Sequence, residues 1–243
     1  MRAQSVALAM ADAWAVARWG IVALMLAGGS ILDLRSRRVP NRYWLPFVAL
    51  ALLFLLRDAV VFGLPGLALP YGAAALLAGF LYALWRLGLF GGADAKALMV
   101  AAFLAPHPLA TPIVPRFPPL PMALDALGNG ALLLVALPVL LAAWNLAHGR
   151  ATFPALLLGV PMAVAKAQAA HVWPLQRVED GALRWRYWTR IQAGGDPYAG
   201  FAETGIQTVW VTPKIPFLVP VTVGWLLAAG PGNLALFVVA QFV

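Results

Sequence analysis

The chain has no cysteine among its 243 residues and only three histidines. Without a thiol there is neither a disulfide framework nor a cysteine nucleophile. His107, His148 and His171 stand apart, with no HxxxH or HxH spacing, so no zinc site is expected. Charge is scarce too. Only 11% of residues are charged, and 9 acids face 17 lysines and arginines. Any chemistry that needs a carboxylate must therefore use one of very few groups.

What fills the chain is apolar: 63% of residues are hydrophobic and the mean hydropathy is +0.83. A water-soluble domain of this size cannot hide so much apolar surface. The fold class is all-α polytopic membrane protein. At about 20 apolar residues per span, the length accommodates about six transmembrane helices and a small cytoplasmic, β-containing domain. The first apolar segment begins near Trp14 and lacks an A-x-A cleavage site, which predicts a retained span.

The net charge of +8 is placed, not spread. Arg35, Arg37, Arg38 and Arg42 share one short loop, and Arg177, Arg184, Arg186 and Arg190 share the one long polar region. This is the positive-inside pattern of a multi-pass protein of the cell membrane, with both regions facing the cytoplasm. Anionic lipid headgroups, not nucleic acid, are the expected partners of these charges.

Taken in order, segment one covers about residues 14–32 and finishes at Asp33. Val39-Pro40-Asn41 then stops the helix, because a residue before proline avoids the α region. Segment two covers 43–62, with Arg57-Asp58 expected to snorkel to the outer interface. A turn at 63–70 leads to segment three at 71–90. Segment four starts at Asp94 and is cut short by Pro106, Pro108, Pro112 and Pro115, in an external proline-rich loop reaching Pro121. Segment five covers 123–146, and residues 153–170 predict a surface-lying or re-entrant piece. In the polar region, alternation over 183–188, the Gly194-Gly195-Asp196-Pro197 turn and residues 206–212 predict a small sheet. The last span is expected over 216–239. The expected domains are a membrane domain at 1–148, a cytoplasmic or interfacial polar region at 149–213 and the last transmembrane helix at 214–243. Trp14, Trp19, Trp44, Trp85 and Trp225 sit near span ends and read as interfacial anchors.

Parity of the spans puts Asp33 and Asp94 at the same membrane face. An ionisable group at a span end marks a functional site by default. Two carboxylates that meet can share one proton and perform acid–base hydrolysis. The helix dipole favours an ionised Asp94 at a helix start, as base, and a neutral Asp33 at a helix end, as acid, by about 0.3–1 kcal/mol each. Gly91 and Gly92 allow positive φ and close backbone approach by an extended peptide. Lys96 is expected on another helix face, snorkelling, and Asp125 is expected to cap segment five. A proton relay in a transporter is the competing reading, but both acids lie at span ends and no internal repeat is visible.

Asp33 with Arg37-Arg38-Val39-Pro40-Asn41, followed by Gly91-Gly92-Ala93-Asp94-Ala95-Lys96, resembles the type IV prepilin peptidase family of GxGD-type intramembrane aspartic peptidases. Residues 210–220 resemble the C-terminal stretch of its archaeal preflagellin and prepilin peptidase branch. Ala93 stands where the GxGD pattern has its second glycine. The resemblance implies Asp33 and Asp94 as catalytic residues and Gly91, Gly92 and Ala93 as the active-site loop. It implies archaellin and pilin precursors as partners, cut after a basic class III signal peptide at the cytoplasmic face, with no metal and no cofactor. Glu179, Asp180, Asp196 and Glu203 are candidate docking residues for the basic segment; the alternative is internal pairing with Arg184, Arg186 or Arg190.

Overall fold

The computed structural model describes residues 2–106, 121–187, 196–230, 232–239 and 242. The proline-rich loop at 107–120, Trp188, Arg190 and the Gly194-Gly195 turn lie outside the described residues. Two compact units are present: Met1–Leu133 with Pro216–Val243, and Leu134–Ile215.

The first unit is helical. It contains α1 (Arg2–Ser36), α2 (Leu45–Arg86), α3 (Gly92–Leu104), the first half of α4 (Met122–Ala147), α7 (Leu218–Ala229) and α8 (Leu234–Val239). Among the described residues, three helices are long and apolar enough to cross a membrane, at Ala13–Ser36, Asn41–Arg86 and Met122–Ala147. Six were expected, and the difference has local causes. α3 has 13 residues, too few to span alone. The expected last span is divided at Gly230 into helices of 12 and 6 residues.

Expected segments two and three are one continuous helix assignment of 42 residues, α2, interrupted at Gly63 (φ 68, ψ 169). That φ suits glycine and penalises any side chain. A side-chain bond shows what the interruption does. Tyr71 Oη donates to Asp58 Oδ2 at 2.8 Å. On a straight helix, thirteen residues separate two side chains by about 20 Å, so the chain folds back at Gly63. The two arms of α2 contain the two expected segments, but the expected turn at 63–70 shrinks to Gly63, and residues 64–70 are helical and open the second arm.

Asp58 does not snorkel, contrary to the sequence expectation. It is 1% exposed and forms an ion pair with Arg18 of α1 at 2.8 Å, while Arg57 reaches its other oxygen at 3.0 Å. Arg18 also donates to the Phe54 carbonyl and lies over the Phe54 ring. A charge removed from water needs a partner, and Arg18 is the one at hand.

Small residues set the other helix contacts. A Cβ on Gly224 of α7 would collide with the Ala126 carbonyl of α4, and one on Gly130 would lie 3.1 Å from the Pro220 backbone. Asn129 donates to the Gly224 and Gly232 carbonyls and accepts from the Leu234 N–H, satisfying the break before α8. Trp44 and Trp225 are not interfacial anchors. They are 3% and 0% exposed and belong to the core with Met25, Leu26 and Leu98.

The second unit, which begins in the C-terminal half of α4, carries the sheets. Strands β1 (Val160–Ala163), β5 (Thr208–Pro213) and β2 (Val172–Pro174) form an antiparallel sheet in the order β1-β5-β2. β3 (Gln176–Glu179) and β4 (Ala182–Trp185) form a hairpin. Residues 153–170 are neither a span nor a re-entrant helix: they supply α5 (Ala155–Leu158), β1 and α6 (Val164–Ala169). β1 pairs with β5 through Val160–Val211 to Ala163–Thr208, and Val209 and Val211 are buried with Phe201.

Candidate active site

The site is built where α1 ends and α3 begins. Ser36 Oγ donates to the Leu32 and Arg38 carbonyls, and the Arg37 N–H closes on the Asp33 carbonyl at 2.9 Å. Arg37 is in the left-handed region (φ 55) without being glycine. That conformation costs a side-chain-bearing residue about 1–2 kcal/mol, and such strain clusters at functional sites. The segment beyond turns back on α1. Tyr43 Oη donates to the Met25 carbonyl at 2.6 Å, and its ring lies in the space left open at Gly28. The Arg-rich loop is thereby held against the helix that carries Asp33.

Asp94 occupies the first turn of α3, outside the three long apolar helices. Its carboxyl is pushed up to about 6, first by burial and then by the neighbouring charge of Asp33. The two aspartates expected at one face therefore do sense one another. Direction is the surprise. The dipole at the start of α3 favours an ionised Asp94, yet burial outweighs it and favours the proton.

Gly91 and Gly92 serve space, not positive φ. Gly91 has φ −67, and neither glycine is in the left-handed region. A Cβ on Gly91 would run into Asp94 Oδ2, and one on Gly92 would lie 2.9 Å from Trp85 Nε1. The two glycines let the Asp94 carboxyl and the Trp85 ring come in close. Ala93, with Ser36, Arg37, Arg38 and Asn41, lines an open cavity of about 620 Å³ at the mouth. Lys96 does not snorkel freely: its Nζ donates to Asn41 Oδ1 at 2.7 Å and lies 5.1 Å from the Trp85 ring centroid.

The four candidate docking acids are in the second unit and divide into two kinds. Glu179 accepts both arms of Arg186 at 2.8 Å, a bond that holds its carboxyl below the usual carboxylate range. Asp180 forms the β3–β4 turn with φ 52. Asp196 and Glu203 line one cavity of about 400 Å³ with Tyr198 and Phe201, and Asp196 accepts from the Tyr198 N–H. Sequence reasoning missed Asn41, Trp85 and the Arg18–Asp58 pair. The last gave no clear signal, because Asp58 beside Arg57 looks already paired in the sequence.

No group of three or more histidines, aspartates or glutamates with metal-holding geometry occurs among the described residues. The profile of the type IV leader peptidase family matches residues 20–144, just over half of the chain, and that stretch contains both aspartates and the glycine turn. The preflagellin peptidase of Methanococcus voltae is 28% identical over 244 residues, covering 90% of this chain and 96% of that protein. With the profile covering more than half of the chain and both aspartate-bearing segments, the chain belongs to the type IV leader peptidase family.

Proposed function

We propose that the chain is a membrane-embedded aspartic endopeptidase that removes the basic leader peptide from archaellin or type IV pilin-like precursors at the cytoplasmic face. One observation carries the reading: the last turn of α1 and the first turn of α3 bring Asp33 and Asp94 close enough for the charge of one to raise the proton affinity of the other. Family membership and the likeness to a preflagellin peptidase support the substrate class. The Arg-rich loop next to Asp33 supports the cytoplasmic side.

Two nearby carboxylates hold one proton between them and titrate as a pair. Burial makes Asp94 the preferred seat of that proton, so Asp33 serves as base and Asp94 as acid in the first step. Asp33 takes a proton from water as the water oxygen bonds to the scissile carbonyl carbon. Asp94 hydrogen-bonds the carbonyl oxygen as charge develops there. When the C–N bond breaks, the departing amine takes a proton from the pair, leaving a carboxylic acid and an amine. The open cavity beside Ala93 is the place proposed for the extended backbone of the precursor. Asp196 and Glu203 are proposed to contact the basic leader, whereas Glu179 is already engaged by Arg186.

Asp33→Asn and Asp94→Asn tested on reconstituted enzyme with a full-length precursor decide the matter. Each variant should insert normally and lose cleavage by about 10²–10⁴-fold or more. For the unmodified enzyme, kcat/KM should fall as pH rises through about 6, because deprotonation of Asp94 leaves the pair without its acid. Cleavage by either variant near the original rate removes that residue from the mechanism.

A further inference from the structure

The bond that joins the two aspartate-bearing segments is made by neither aspartate. Asn41 opens the single 3-10 turn Asn41–Tyr43, and the Tyr43 hydroxyl ties that turn to α1. Trp85 lies in the last turn of α2 and presses on the backbone of Gly92. Lys96, one half-turn beyond Asp94, meets both: it donates to Asn41 Oδ1 at 2.7 Å and places its ammonium over the Trp85 ring. Three segments thus converge on one side chain. Asp33 sits just upstream of the first and Asp94 is in the third.

Several features make this more than an exposed lysine finding a neighbour. Lys96 and Asp94 are two residues apart on a helix, so they point to different faces. Among the described residues Lys96 forms no ion pair with either aspartate. Its charge is directed to a neutral amide and a ring, which holds the backbone in place without neutralising the acids. A donor carrying full charge gives a bond that is short and stronger than a neutral one, and the aromatic face adds a second attraction. A chain held at a turn and at a helix start is fixed in separation. Where geometry governs catalysis, a displacement of about 1 Å costs about 10²-fold in rate.

We propose that Lys96 is a positioning residue whose bond to Asn41, backed by Trp85, sets the separation of Asp33 and Asp94. The proposal rests on the aspartate-pair reading above.

The test uses full-length enzyme in proteoliposomes and a precursor with its leader. Lys96→Met should lower kcat about 10²-fold and leave KM within about two-fold, because the contact lies on the pair and not on the substrate. Asn41→Leu should lower kcat similarly from the other side of the bond, with some change of KM as well, because Asn41 also lines the open cavity. Asn41→Asp, which presents the same acceptor oxygen, should recover most of the kcat that Asn41→Leu loses. The chain has no cysteine, which permits a direct rescue. The double variant Asn41→Cys/Lys96→Cys should be slow when reduced and recover at least about ten-fold when a short bifunctional thiol reagent bridges the two positions. Inactive variants that still bind an uncleavable precursor at the original affinity are folded, so the rate loss is positional. Lys96→Met and Asn41→Leu both cutting at near the original rate overturn the proposal, as does a bridged double variant that stays slow. Those results leave the aspartate pair standing. An active Asp33→Asn or Asp94→Asn variant instead sinks the pair itself, so the two failures are distinct.

Discussion

At the scale of single residues, the site depends on what is missing from Gly91. Its hydrogen leaves room for the Asp94 carboxyl, and a methyl group there would collide with Oδ2. Gly91 has an ordinary extended backbone, so alanine is tolerated by φ and refused only by the aspartate. Gly91→Ala should therefore leave expression and melting temperature within about 1–2 °C, yet lower cleavage by about ten-fold or more as the carboxyl rotates away. A rate loss matched by an equal loss of stability would mean that the glycine serves the turn and not the acid. The two aspartates could be picked out from order and spacing, because Asp33 and Asp94 bracket the two apolar arms of α2. The reason for its glycines was not. Space beside a carboxyl depends on which rotamer and which neighbour meet there, and a sequence records neither. Burial of Asp94 was hidden in the same way: the dipole effect is local and readable, while the larger desolvation comes from packing across the helices.

At the scale of elements, α2 shows how far hydropathy carries. Two apolar arms with a glycine between them were readable, and the break at Gly63 falls at the first residue of the expected turn. Their partner was not readable, because Asp58 beside Arg57 looks locally satisfied. Arg18 reaches Asp58 only through the packing of α1 on α2. Tyr71 then links the second arm to the same carboxylate. Breaking a buried pair from one side leaves an uncompensated charge, at a cost of about 3–5 kcal/mol. Arg18→Leu should lower the thermal midpoint in detergent sharply, whereas Arg18→Leu/Asp58→Leu should recover most of the loss. Additive losses in the double variant would show that the two residues stabilise separate parts of the fold.

At the scale of the whole molecule, composition divided the chain at 148 and 213 into a membrane domain, a polar region and a last helix. The structure has two compact units, one helical, which includes the C-terminal helices, and one with the sheets, and they divide inside α4. The strand at 183–188 was read from alternation and is found as β4, and the one at 206–212 is found as β5. Hydropathy alone did not resolve the chain between 153 and 170 into its elements, because the apolar residues of a short strand look like those of a surface-lying or re-entrant piece; Val160 and Met162 are partly buried against the sheet core. The orientation proposed from the arginines can be checked in this cysteine-free chain. With Ser36→Cys, Ala182→Cys and Leu64→Cys as single reporters, an impermeant thiol reagent applied from outside should reach only position 64. Labelling of Ser36→Cys or Ala182→Cys from outside would reverse the assignment of the active face.

The shared carboxylate of Asp58 also bears on how the protein is made. Synthesis presents Arg18 first, then Asp58, then Tyr71. A guanidinium without its partner inside an apolar span is disfavoured, so α1 gains little by leaving the translocon ahead of its partners. The first helix and the two arms of α2 are best released sideways into lipid as a set, and a ribosome stalled before codon 58 would hold a first helix still waiting at the gate.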